Sequence, residues 1–65
     1  MKVYVVSDNV YIDKIFSTFE TAERYVIDTY DPEYRSNYGG WVTYGKKYDD
    51  RVIELYSIEE YEVEE

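Results

Sequence analysis

The side chains of this chain that could act as nucleophiles are the hydroxyls of Ser7, Ser17, Ser36 and Ser57, and the sequence contains no His to activate any of them. It also contains no Cys, which removes disulfides, thiolate catalysis and thiol-ligated metals together. Adjacent carboxylates occur at Asp49-Asp50 and Glu59-Glu60. Acid and base roles need one such pKa to be pushed upward inside a cleft, and a chain of 65 residues has little room for one. Gly39-Gly40 belongs to neither G-x-x-x-x-G-K-[ST] nor G-x-G-x-x-G, so it reads as a backbone turn rather than a phosphate cradle. The D-x-[DN]-x-[DN]-G spacing of a calcium loop is missing as well. The expectation is a non-enzymatic protein with no catalytic residue, cofactor or specific metal site, folded by packing alone.

Charge offers a different chemistry. Residues 1–48 hold seven acids and six bases, whereas residues 49–65 hold eight acids and the single base Arg51, so nearly all of the net charge of −8 lies in the last segment. On an extended strand, alternate residues project the same way about 6.6 Å apart, at roughly 3.3 Å per residue. Glu60, Glu62 and Glu64 would then form a row of carboxylates with a step comparable to that of phosphates along a nucleic acid. Such a row suits a basic protein groove that normally holds DNA or RNA, with fast, electrostatically steered association. The alternative is an edge that serves solubility and discourages strand-to-strand aggregation. Direct binding to nucleic acid or to an anionic membrane is disfavoured, because the sign of the charge is wrong for both.

Aromatic residues make up 20% of the chain, including ten Tyr and a single Trp. Tyr and Trp bury large areas with few rotors and keep a polar handle, which makes them frequent anchors of protein interfaces. Trp41 follows two glycines beside Tyr34 and Tyr38. By size Trp41 is assigned to the core, although its place in that loop would also suit a contact. Tyr34 and Tyr38 are assigned to a contact patch. The expected partner-binding set is Tyr34, Tyr38, Glu54, Tyr56, Glu59, Glu60, Tyr61, Glu62 and Glu64, facing a host protein with a basic surface.

The elements that must position these residues follow from pattern. Lys2–Val6 and Val10–Phe16 are β-branched and aromatic, and Ser7-Asp8-Asn9 between them is turn chemistry, so they form a hairpin. Strict alternation in the second run would place Lys14 with Val10, Ile12 and Phe16, so either Lys14 reaches outward or a bulge near Asp13-Lys14 shifts the register. Ser17-Thr18-Phe19-Glu20 matches a capping box, with Ser17 as the cap. Phe19, Ala22, Val26 and Tyr30 then repeat at helical spacing, giving one amphipathic helix over about Thr18–Tyr30 that ends at Asp31-Pro32.

Glu33–Gly40 reads as a loop, Trp41–Tyr44 as a short strand, and Gly45–Asp50 as a turn. Arg51–Ile58 is a strand with Ile53 and Leu55 on one face and Val52, Glu54, Tyr56 and Ile58 on the other. A break or bulge at Ser57–Glu60 would precede a fifth short strand at Tyr61–Val63. The expected fold is a two-layer α+β domain, β-β-α-β-β, in which one helix packs on a small antiparallel sheet. The whole of residues 1–65 forms this single domain, with residues 49–65 as its acidic C-terminal edge.

The second sheet face would carry several of Tyr4, Tyr11, Tyr44, Tyr56 and Tyr61, too aromatic a set for a solvated surface. A homodimer through that face is the alternative to a partner-binding platform. The longest apolar run, Val3–Val6, is far short of the ~20 residues that span a bilayer, and no signal-peptide pattern opens the chain, so a cytoplasmic location is expected.

Val3-Tyr4-Val5-Val6, the run Ile15-Phe16-Ser17-Thr18-Phe19-Glu20-Thr21-Ala22-Glu23-Arg24-Tyr25-Val26, and Glu60-Tyr61-Glu62-Val63 resemble a class of small acidic phage and bacterial proteins of unknown function. Their pattern is a hairpin, an FSTxExAExY helix start and a closing strand near xYEV. The resemblance covers about half the chain and brings no catalytic residue with it. It implies an anti-defence or host-takeover role early in infection, in the host cytosol, by blocking host enzymes, CRISPR systems or restriction nucleases. Glu33–Asp50 has no counterpart in that pattern and is where target specificity would reside.

Overall fold

A computed structural model describes residues 1–8 and 10–64. The elements in chain order are β1 (Lys2–Ser7), β2 (Ile12–Phe16), α1 (Phe19–Tyr30), β3 (Tyr34–Asn37), β4 (Trp41–Tyr48) and β5 (Arg51–Glu62). All five strands form one sheet in the order β2-β1-β5-β4-β3, and every neighbouring pair is antiparallel. The two-layer α+β architecture therefore holds, with one strand more than β-β-α-β-β.

That strand is β3, where a loop was expected. Tyr34–Asn37 pairs with Gly45–Val42, and the chain turns through Gly39, whose φ of +91° only glycine adopts readily. The expected turn at Gly45–Asp50 shrinks to Asp49-Asp50, with Asp49 left-handed at φ 54° as a tight hairpin demands. β4 continues through Gly45 because the Tyr34 ring and the Ile53 carbonyl close over it. A Cβ there would lie 2.5 Å from Tyr34 Cε1 and 2.0 Å from the Ile53 oxygen. β5 is unbroken through Ser57–Glu60, so the expected separate strand at its end is absorbed into it. β5 is the central strand of the sheet rather than an edge strand, with Arg51–Tyr56 extending past β1 and pairing with β4 alone. Only its last residues run past β4, and those still pair with β1 through Lys2↔Glu62.

Two bulges decide which side chains face the helix. Val6 pairs with Lys14 and Ser7 with Ile12, leaving Asp13 as the extra residue. Both sequence-derived alternatives for Lys14 occur at once: the register shifts, and Lys14 stays exposed with Nζ 5.2 Å from the Tyr25 ring centroid. In β5, Tyr44 pairs with Tyr56 but Gly45 with Glu54, so Leu55 is extra. The expected grouping of Glu54 with Tyr56 and Ile58 is thereby undone, and Glu54 points away from the helix.

The helix begins one residue later than a Ser17 cap would place it. Thr18 is the cap, extended at φ −132°, ψ 150°, and its Oγ1 accepts from the Thr21 N–H at 3.3 Å. At the other end Asp31 turns left-handed and its N–H donates to the Ile27 carbonyl, capping the helix before Pro32, which has no N–H to continue it. The apolar stripe packs Ala22 and Val26 against Val6, Val42, Tyr44 and Ile58. Each fully buried aliphatic side chain in such a core contributes roughly 1.5–3 kcal/mol.

Tyr4, Tyr44 and Tyr56, three of the five candidates for the open face, belong to this helix side. Tyr4 packs edge-on to Phe19, Tyr56 stacks on Tyr30 with centroids 3.8 Å apart, and Tyr44 is 1% exposed. Their rings provide area that the five aliphatic core residues lack, and their hydroxyls keep a polar handle. Two carboxylates fasten the layers. The Tyr44 hydroxyl donates to Glu23 at 2.6 Å, and Arg35 Nε meets the same carboxylate at 2.9 Å. On the bulge, Asp13 accepts from the Tyr25 hydroxyl at 2.6 Å and also from Tyr30.

Gly45→Ala is expected to destabilise the domain by about 1–3 kcal/mol, since backbone and ring must both move; a lowered denaturant midpoint checks it. The hydrogen bonds to Asp13 hold the Tyr25 and Tyr30 phenols above the usual tyrosine value, and burial followed by the Glu23 hydrogen bond does the same for Tyr44. A phenol raised on folding stabilises fully below its unfolded value, near 10, and loses that contribution as pH climbs beyond it. The denaturant midpoint should therefore fall above about pH 10. Tyr44→Phe should fall less steeply over the same range.

Candidate binding face

The sheet face opposite the helix is uncovered, and its side chains run in rows set by the strand pairing. One row is Ile15–Val5–Glu59–Trp41, across β2, β1, β5 and β4. The next is Ile12–Ser7–Ser57–Thr43–Ser36, which places four hydroxyls on four adjacent strands. Ser7 and Ser57 lie with their Oγ atoms 3.1 Å apart. Tyr61, opposite Val3, flanks the first row, and Glu54, opposite Gly45, flanks the second.

Trp41 is not in the core. It is 47% exposed and stacks on Tyr38 with centroids 5.5 Å apart and planes 18° apart. The alternation in Trp41-Val42-Thr43-Tyr44 carries this information: once Val42 and Tyr44 point to the helix, Trp41 and Thr43 must point away. Size alone suggested otherwise.

The carboxylates of the face are held by neighbouring phenols. Tyr38 donates to Glu54 Oε1 at 2.8 Å, and Tyr61 donates to Glu59 Oε2. These hydrogen bonds raise both phenols above the usual value. Asp8, at the turn beside the face, accepts from the backbone N–H groups of Tyr11 at 2.7 Å and Val10 at 2.8 Å, which lowers its own pKa. Trp41, Thr43, Glu54, Ser57, Glu59 and Asp8 surround a shallow hollow of about 220 Å³. Thr43 is 7% exposed, and its Oγ1 has no hydrogen-bond partner among the described residues.

Of the residues expected to bind a partner, Tyr38, Glu54, Glu59 and Tyr61 meet on this face. Tyr34 lies on it half-buried, its ring over Gly45. Tyr56 borders the hollow while its ring stacks on Tyr30 at the helix side. Glu60 and Glu62 share the helix side at the end of β5, where Glu60 is 2.9 Å from Lys2 Nζ and Glu62 is 3.4 Å from the amino group of Met1. Glu64 is exposed past the end of the strand. Sequence reasoning missed Trp41, Thr43, Ser57 and Asp8. β1, β3, β4 and β5 each carry one such hydroxyl, so no spacing along the chain signals the row, and only the register aligns it. No helix among the described residues is long and apolar enough to cross a membrane.

As the single tryptophan, Trp41 reports this environment directly. Taken relative to free N-acetyltryptophanamide, its caesium quenching constant should exceed its iodide constant at low ionic strength, because Glu54 and Glu59 flank it. Glu59→Gln should narrow that difference, and an iodide constant equal to the caesium constant would contradict the arrangement. Compared with protein-family models, curated proteins and solved structures, the chain matches none of them.

Proposed function

We propose that this chain is a non-enzymatic inhibitor that docks on a basic protein surface through its open sheet face. The observation that carries the reading is the exposed Trp41–Tyr38 stack set beside Tyr61 and the carboxylates Glu54 and Glu59. Rigid aromatic area bordered by charge is the composition of an interface hot spot, and the charge selects the sign of the partner. Glu60 and Glu62 lie on the helix side beside Lys2 and the Met1 amino group, so the open face and the exposed Glu64 carry the negative potential, and a protein that grips nucleic acid in a basic groove has the complementary field. The resemblance to small phage proteins makes host defence and nucleic-acid-processing proteins in the host cytosol the class to test.

A homodimer through the same face is the second reading, favoured by the exposed Ile12 and Ile15 that β2 adds to that face. Two-fold pairing would bring the Glu54 and Glu59 carboxylates of one copy against those of the other, which opposes it. The double variant Trp41→Ser, Tyr61→Ser changes only exposed side chains, so its fold should persist. Its affinity for a partner captured by the unaltered protein and then purified should drop by about 10- to 100-fold. Unchanged affinity would remove the face from the interface. Sedimentation at micromolar concentration should give a monomer, whereas a dimer that dissociates in the double variant would favour the second reading.

A further inference from the structure

Resting on the proposed docking face, we infer that the hollow between Trp41, Glu54, Glu59 and Asp8 is a socket for one arginine side chain of the partner. Its chemistry is one-sided. No Lys or Arg lines it, and three carboxylates do. Each carboxylate spends one oxygen on an internal hydrogen bond: Glu54 Oε1 on Tyr38, Glu59 Oε2 on Tyr61, and Asp8 Oδ1 on two backbone N–H groups. The second oxygen of each has no partner among the described residues, so the carboxylates are oriented yet still able to accept.

The floor supplies the independent sign of a ligand. Thr43 Oγ1 is buried and unpaired, a costly state for a hydroxyl unless a donor reaches it on binding. A planar guanidinium fits this combination better than an ammonium. It can stack on the Trp41 indole, itself propped by Tyr38, while its several N–H groups donate in plane to Glu59, Glu54 and Thr43. Among the described residues, no three acidic side chains converge as a metal-binding group, so a compact divalent ion is poorly matched. About 220 Å³ admits a guanidinium and the end of its stem, not a larger ring system.

N-acetylarginine N-methylamide is the probe, read by Trp41 fluorescence and by the Trp41 indole and Thr43 amide NMR signals at low salt. Saturable shifts confined to the face are expected, strongest for the arginine probe, weaker for the lysine analogue and absent for the uncharged citrulline analogue. Glu54→Gln and Glu59→Gln should each weaken binding roughly five- to tenfold, as expected for loss of a charge-assisted hydrogen bond. Thr43→Val preserves shape in the sheet and should weaken it by a smaller factor, with the amide spectrum elsewhere unchanged. Binding of citrulline equal to arginine, unsaturable shifts, or full affinity in the two glutamine variants would each overturn the socket. If the socket fails while the Trp41→Ser, Tyr61→Ser variant still loses its partner, the docking face stands without it; if that variant also binds normally, both fall.

Discussion

The hydrogen bond from a tyrosine hydroxyl to a carboxylate is the interaction on which this structure depends. Five tyrosines make it: Tyr25 and Tyr30 to Asp13, Tyr44 to Glu23, Tyr38 to Glu54 and Tyr61 to Glu59. The first three close the helix onto the sheet, and the last two orient the acids of the open face. A chain without Cys or His, and with only five aliphatic side chains and Tyr44 buried in the core among the described residues, has few other ways to join its layers. A phenol supplies both terms at once, apolar area from the ring and a strong donor for an ionised acceptor. The abundance of tyrosine and of acid is thus one property rather than two.

The bulges at Asp13 and Leu55 make those pairings geometrically available. An extra residue in an antiparallel ladder reverses the side on which the following side chains emerge. At Asp13 this sends Ile12 to the open face and leaves the carboxylate where the helix tyrosines reach it. At Leu55 it sends Glu54 to the open face, beside Tyr38, while Tyr56 and Ile58 stay under the helix. Without the second bulge the hollow would lose one of its three carboxylates.

The acidic segment changes character once folded. It is the middle strand of the sheet, so its charges are distributed between two faces and two ends. Glu60 and Glu62 lie near Lys2 and the amino group of Met1, whereas Glu54 and Glu59 stand in an aromatic setting with no cation beside them. The uncompensated potential therefore sits on the open face rather than along a protruding row. Strands flank it on both sides only at Ser57–Glu59; Arg51–Tyr56 pairs with β4 alone and the end of the strand with β1 alone.

The helix, its apolar stripe, its stop at Asp31-Pro32 and the first hairpin were legible from residue order, because they rest on interactions between neighbours in sequence. The expectation of packing without disulfide or metal came from composition. Three things were decided only in three dimensions. β3 is a strand because β4 offers it an edge, although Tyr34-Arg35-Ser36-Asn37 has little β character of its own. Trp41 faces outward because Val42 and Tyr44 claim the helix side, a choice that size does not reveal. The face itself, with Ser7, Ser57 and Thr43 in one row between Glu54 and Glu59, comes from register between strands up to fifty residues apart. Local propensity and periodicity act within a few residues, whereas register and bulges are set by which strands meet, and the candidate site is made entirely of the latter.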